Sequence, residues 1–348
     1  MTEAIRKNFA SDNIAPVSPE VMAALARVNA GEAPSYGADD ETARLNDAMR
    51  AVFGCDVWVY PVATGTAANS LALSAATAPF GAVVCDQSAH IATDEGGAPE
   101  FFTHGAKLVP LPSADGRMAL ADLDRALSDN ALGGVHTSPI QTLSLTQSTE
   151  WGTVYELDHL NALTRRARAA SCATHLDGAR LGNAIASLSC TPADITWKAG
   201  FDMVSFGGTK NGAMAAEAVL VFREDLARNF ERRVKRGGHL WSKQRYLSAQ
   251  LLALLENDLW LRNAAQANAM AQRLAHGLRR HPAASLPFEV QGNEVFALLP
   301  ERSVAALEAD GWGFYRWTTP PGIEGVLIRL VTCFATEPCD VDGFLDSL

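Results

Sequence analysis

The chain has 348 residues, 48% hydrophobic and 20% charged, a composition that supports a large buried core and excludes a disordered chain. Its formal net charge of -10 argues against a nucleic-acid or anionic-membrane partner. The six cysteines form no C-x-x-C pair and no apolar run reaches the ~18 residues of a spanning helix, so a cytoplasmic protein without disulfides, metal site or membrane span is expected.

Met1 to Ala10 carries Glu3, Arg6 and Lys7 without an apolar stretch, so no secretory signal is expected. Ser18-Pro19 reads as an N-cap followed by proline in the first turn of a helix, with Val21, Leu25 and Val28 on one face. Ser35-Tyr36-Gly37 makes a turn. Asp39-Asp40 then opens a helix carrying Leu45, Met49 and Val52 and closed by Gly54. The β-branched and aromatic run Val57 to Tyr60 reads as a strand, followed by a glycine turn at Ala63 to Ala67 that enters an alanine-rich helix. Such a helix start, at Gly65 and Thr66, is either an anion site built from unpaired backbone N–H groups or simply a tight turn.

Further strands are expected at Ala82 to Cys85, Lys107 to Val109, Leu143 to Thr146, Cys172 to Leu176 and Met203 to Phe206, with helices at Leu120 to Leu127 and Leu157 to Ala169 between them. This alternation predicts an α/β fold with a mainly parallel sheet covered on both faces. One long helix is expected from Gln250 to Leu278. Shorter strands and helices follow, over Phe288 to Leu299, Val304 to Asp310, Phe314 to Trp317, Leu327 to Val331 and Val341 to Leu348. The division expected is a large unit over residues 1–255 and a smaller α/β unit over 256–348.

Gly65-Thr66, His90, Asp177 and Lys210 all fall at the carboxyl ends of predicted strands, the edge where open α/β sheets bind ligands. Lys210, offered after Phe206-Gly207-Gly208-Thr209, is a surface lysine, a salt-bridge partner or an imine-forming nucleophile. Asp177, in His175-Leu176-Asp177-Gly178, is a helix cap or a ligand group sharing a face with His175. Taken together they point to pyridoxal 5'-phosphate, which needs a lysine for its imine, a carboxylate for its pyridine nitrogen and a cradle for its phosphate.

With F-A-S-D-N at Phe9, Y-G-A-D-D at Tyr36, G-T-A-A-N at Gly65, A-H-I-A-T-D-E at Ala89, G-A-P-E-F-F at Gly97, H-L-D-G-A-R at His175 and F-G-G-T-K-N-G at Phe206, the chain resembles the low-specificity L-threonine aldolases. These, with the phenylserine aldolases, are fold-type-I pyridoxal-phosphate enzymes. The resemblance implies retro-aldol cleavage of L-3-hydroxy-α-amino acids to glycine and an aldehyde. It implies that His90 stacks on the cofactor, that Arg180 and Arg329, with Ser11, Tyr36 and Glu150, bind the substrate, and that Arg180 also touches the cofactor. It also implies a homodimer or dimer of dimers in which Lys235 or Arg236 reaches the phosphate bound by the partner subunit.

One departure stands out: where many members carry a second active-site histidine after a threonine, this chain has Thr149-Glu150. The proton-abstracting base is then His90, a bound water or Glu150. The rival readings are a β-eliminating lyase or aminotransferase on the same cofactor, and a binding protein that has kept the fold without catalysis.

Overall fold

The computed structural model describes residues 8–319 and 324–348. Its main sheet contains Trp58–Val62 (β1), Ala82–Asp86 (β2), Lys107–Leu111 (β3), Ile140–Thr146 (β4), Ala173–Gly178 (β5), Met203–Phe206 (β6) and Glu217–Val221 (β7). Their spatial order is β1-β7-β6-β5-β4-β2-β3. The pairs β2 with β3, β2 with β4, β4 with β5 and β5 with β6 are parallel, and β7 runs against both its neighbours. Every residue of β2, β5, β6 and β7 is buried, as a sheet covered on both faces requires.

Side chains alternate across this sheet and so divide the core. Met203, Val219 and Val221 face the helix Gly65–Ala76, whose small Ala67, Ala68 and Ala72 allow close approach. Val204, Phe206 and Leu220 face the opposite way, into a core shared with Leu45 and Met49 of the helix Asp40–Phe53 and with Leu251 and Leu254 of the helix Arg245–Leu255. The alternation puts Ser205, His175 and Asp177 on the face of the helix Gly65–Ala76. His175 is fully buried there between Ser144 Oγ (2.9 Å) and Ser205 Oγ (3.0 Å), and burial lowers its pKa to about 4, so it is neutral.

A second, antiparallel sheet holds Glu294–Leu299 (β8), Tyr315–Trp317 (β9) and Val326–Val331 (β10) in the order β8-β10-β9. Its inner face packs Val295, Ala297, Ile328 and Leu330 on Leu274 and Leu278 of the helix Leu259–Arg280. Phe9 from the start of the chain completes this core, fixed by Phe9 N–H to Gly313 O and Val331 N–H to Phe9 O, each 2.7 Å.

Four expectations need correction or extension. The single helix from Gln250 to Leu278 is two, Arg245–Leu255 and Leu259–Arg280, broken where Asn257 and Asp258 take φ of 53° and 55°, a conformation these residue types tolerate best after glycine. Strand β7 adds to the expected set; its Ala218-Val219-Leu220-Val221 is a short apolar run after Glu217. The expected Phe288 to Leu299 strand begins only at Glu294. Ser18 is the N-cap residue of a proline-started helix, as expected, but its hydroxyl makes no capping bond; it accepts from Asn263 Nδ2 (3.2 Å) while its N–H bonds Gly212 O (2.9 Å). Ser18 is thereby committed to the loop that carries Lys210.

Candidate active site

A cavity of about 360 Å³ opens at the carboxyl ends of β4, β5 and β6. Gly65, Thr66, His90, Glu150, Asp177, Arg180 and Lys210 all line it, so most of the residues singled out from the sequence converge here.

Lys210 lies in the short turn Thr209–Asn211 that follows β6 and its two glycines. A Cβ on Gly207 would come within 2.3 Å of Ala179 O, so only glycine lets the β5 and β6 ends approach. Gly212 closes the turn at φ 109°, where a Cβ would lie 2.1 Å from Ser18 Oγ. From β7, Glu217 accepts the N–H groups of Gly208 (2.9 Å) and Thr209 (3.2 Å). Burial raises the pKa of Glu217, against these hydrogen bonds and the nearby Lys210 charge. Glu217 thus clamps the lysine's loop, a role that depends on β7 lying beside β6 and is not visible in the spacing of the residues.

Asp177, near the end of β5, is almost fully buried. It accepts from Asn69 Nδ2 (2.7 Å) and from the N–H of Ala179 (3.0 Å). The same Asn69 nitrogen donates to Glu95 Oε1 (2.8 Å), which lies 2.9 Å from His90 Nδ1. With carboxylates on two sides the amide must present its nitrogen to both. The hydrogen bond to Glu95 raises the pKa of His90 more than burial lowers it, with Asp177 adding to the rise. Asn69 and Glu95 stand inside motifs noted in the sequence, but nothing in their spacing shows that they bridge His90 to Asp177.

The helix Gly65–Ala76 begins at the cavity wall. Thr64 caps it by accepting from Ala67 N–H (3.2 Å), leaving the N–H groups of Gly65 and Thr66 without an intrahelical acceptor. A Cβ at Gly65 would meet nothing within 4 Å, so the space in front of this helix start is open.

Arg180 is held by Asp12, through Nε (2.8 Å) and Nη2 (3.0 Å), and by Glu294 of β8 at 3.1 Å from Nη1. Burial disfavours the charge of Arg180, but Asp12 and Glu294 together raise its pKa. Burial likewise pushes the Asp12 carboxyl up, and Arg180, with help from Lys210, outweighs it and holds the carboxyl low. Arg329 of β10 does not line the cavity. It stands behind Glu294, with Nη1 3.7 Å from Glu294 Oε1 and its guanidinium over Trp317 (4.7 Å) and Tyr315 (5.2 Å). Ser11 also lies outside the lining; its Oγ accepts from Asn13 N–H (3.1 Å), shaping the turn that presents Asp12.

Tyr36, Lys235 and Arg236 are likewise outside the lining. Tyr36 is about half exposed, at φ 58°, with Lys235 Nζ 4.4 Å above its ring, and Arg236 ends the helix Phe230–Arg236.

Glu150 lies beyond β4 in a turn fixed by Thr149 N–H to Thr153 O (2.9 Å) and by the Thr149 and Thr153 hydroxyls (2.7 Å). Its Oε1 accepts the N–H of His90 (2.8 Å), while Oε2 is buried without a partner. Burial, reinforced by Asp177, raises this carboxyl's pKa to about 7.

The arrangement suits pyridoxal phosphate on its own geometry. An amine, a carboxylate for the ring nitrogen and an open helix start share one cavity. Asn69 Oδ1, Glu95 Oε2, Ser148 Oγ and Glu150 Oε2 are buried there without protein partners, as expected of a pocket that receives a polar guest.

Residues 8–301 match the β-eliminating lyase family. Over 310 residues, 89% of each chain, the sequence is 44% identical to low specificity L-threonine aldolase of Pseudomonas aeruginosa. The threonine aldolase of Leishmania major superposes with a TM-score of 0.92 over 98% of both chains at 29% identity. A serine palmitoyltransferase of S. paucimobilis, solved with a pyridoxal-phosphate adduct, matches at a TM-score of 0.70 and 16% identity over 98% of this chain and 85% of its own, a likeness of fold alone. Agreement of this extent in sequence and backbone together places the chain: it belongs to the β-eliminating lyase family, among the low-specificity L-threonine aldolases, which are pyridoxal-phosphate enzymes.

Proposed function

We propose that this protein cleaves L-3-hydroxy-α-amino acids, L-threonine and L-phenylserine among them, between Cα and Cβ to release glycine and an aldehyde. The observation that carries this reading is the meeting of Lys210, Asp177, His90, Glu150 and the start of the helix Gly65–Ala76 in one cavity. When bound there, pyridoxal phosphate supplies the electron sink for the carbon that loses its bond.

In this reading Lys210 Nζ would hold the cofactor from the cavity wall. Asp177, oriented by Asn69 and Ala179 N–H, would face and hold protonated the ring nitrogen, and the N–H groups of Gly65 and Thr66 would hold the phosphate. His90 covers the ring, fixed by Glu95. Arg180 takes the substrate carboxylate from the cavity wall, with Arg329 supporting it through Glu294 and Ser11 through the Asp12 turn. A base within the cavity must then take the β-hydroxyl proton.

The surrounding organisation belongs to the same reading. Residues 1–255 form the cofactor unit and residues 256–348 the smaller unit. Lys235 and Arg236 lie away from this chain's cavity, which supports their reaching a phosphate across a homo-oligomer interface, with Tyr36 beside them. Among the described residues no helix is long and apolar enough to cross a membrane; with free thiols, this supports a cytoplasmic setting.

Purified protein loaded with pyridoxal phosphate and given L-threonine or L-phenylserine should yield equal amounts of glycine and aldehyde. Release of ammonia and a 2-oxo acid in their place would move the assignment to β-elimination, the reaction for which the family is named.

A further inference from the structure

We propose that Glu150 is the catalytic base, receiving the β-hydroxyl proton of the substrate at Oε2, while His90, held by Glu95, serves only to position the reacting groups. This rests on the aldolase reading and assigns within it the group that moves the proton.

Geometry separates the two candidates. His90 Nδ1 is 2.9 Å from Glu95 Oε1, and the Glu95 side chain is fully buried, so this ring nitrogen is committed. The other nitrogen points toward exposed Asp94 at 3.9 Å, and the hydrogen bond to Glu95 favours the charged ring. A ring nitrogen that donates to a buried carboxylate has no lone pair left to offer a substrate proton. Glu150 is the reverse case: one oxygen is fixed by the N–H of His90, and the other is buried, unpartnered and part of the cavity lining. The turn that carries it is braced from outside as well, because Gly152, at φ 73°, leaves no room for a Cβ against the backbone of Glu294.

The environment of Glu150 suits a group that must both take and return a proton. Asp177 on β5, His90 and the Thr146 hydroxyl at the end of β4 face it, the hydroxyl working against the rise. Arg180 feels its charge, and Cys85 of β2 and Tyr155 stand behind it. Burial and Asp177 bring its pKa to about 7, matching proton affinity to neutral pH.

The step balances without oxidant or reductant. The substrate O–H bond breaks and its proton passes to Glu150. The oxygen's electron pair becomes the second bond of the aldehyde carbonyl, and the Cα–Cβ pair stays with Cα. That carbon then takes up one proton and leaves as glycine, and Glu150 loses its proton to restore the starting carboxylate.

The test compares loaded wild type with Glu150→Gln, which keeps side-chain volume and an acceptor for the His90 N–H. The variant should retain cofactor and change KM by no more than a few fold, while kcat falls by about 10²–10⁴-fold. The acidic limb of the wild-type kcat profile, near pH 7, should vanish in the variant. Infrared difference titration should show a carboxyl band with a midpoint near pH 7 in the wild type and none in the variant. A variant with kcat within tenfold and an unchanged pH profile overturns the assignment, as does a band titrating at the ordinary 4.5 of a glutamate. If the variant releases its cofactor, infrared titration of the cofactor-free wild type and variant decides in the same way. Wild type that releases no glycine instead refutes the aldolase reading itself.

Discussion

Replacing Glu150 by glutamine should make the protein more stable, and increasingly so as pH rises. The carboxyl titrates at about 7 in the folded chain against 4.5 for an ordinary glutamate. Below pH 4.5 it is protonated in both states and glutamine mimics it closely. Between 4.5 and 7 the unfolded chain ionises first, so the wild type loses stability across this window, and beyond 7 the loss is complete. At roughly 1.4 kcal/mol for each tenfold difference in proton affinity, the variant should gain about 3 kcal/mol relative to wild type at alkaline pH. The assay is urea unfolding followed by tryptophan fluorescence at pH 4.5 and pH 8, at one protein concentration and without cofactor, whose binding has its own linkage. Equal stability differences at the two pH values would refute the placement of a buried carboxyl with one oxygen free in the cavity.

Three further substitutions probe the rest of the site. Lys210→Ala should abolish glycine release and the visible absorption of attached cofactor while leaving the circular dichroism spectrum unchanged. Asp12→Asn removes the bidentate partner of buried Arg180 and should cost about 3–5 kcal/mol of stability in chemical denaturation and raise KM more than it lowers kcat. Gly212→Ala places a Cβ 2.1 Å from Ser18 Oγ at a φ of 109°, so it should cost about 1–3 kcal/mol and loosen cofactor binding, measured by dialysis and absorbance.

Much of the catalytic edge was legible because its residues sit where local signals end: Lys210 after an apolar run and two glycines, Asp177 at the close of another, Gly65 before an alanine-rich helix. Residues that act through a neighbour left no such trace. Asn69 lies within a helix and Glu95 just after a short one, and their bridge between His90 and Asp177 exists only once β2 and β5 are set in their places in the sheet. Glu217 was hidden for a different reason: β7 has only four apolar residues after this glutamate and no flanking proline or glycine turn, and its antiparallel direction interrupts the expected pattern. Arg329 was expected at the substrate. The intervening Glu294 is a buried acid on β8, where the sequence alone suggests only an apolar strand.

The cluster around Arg180 has a consequence for how substrate is admitted. Asp12 and Glu294 already balance the charges of Arg180 and Arg329 in a buried setting. A substrate carboxylate arriving there makes three anions for the two arginines, with Lys210 a further cation whose charge reaches Asp12. Once that amine is engaged by the cofactor one anion is in excess, a state that low-dielectric surroundings disfavour strongly. Substrate affinity is therefore expected to be coupled to proton uptake. Titration calorimetry in buffers of different ionisation enthalpy should read about one proton taken up per molecule bound. Acidity of the medium would then act on this enzyme at the moment of binding, before any bond is broken.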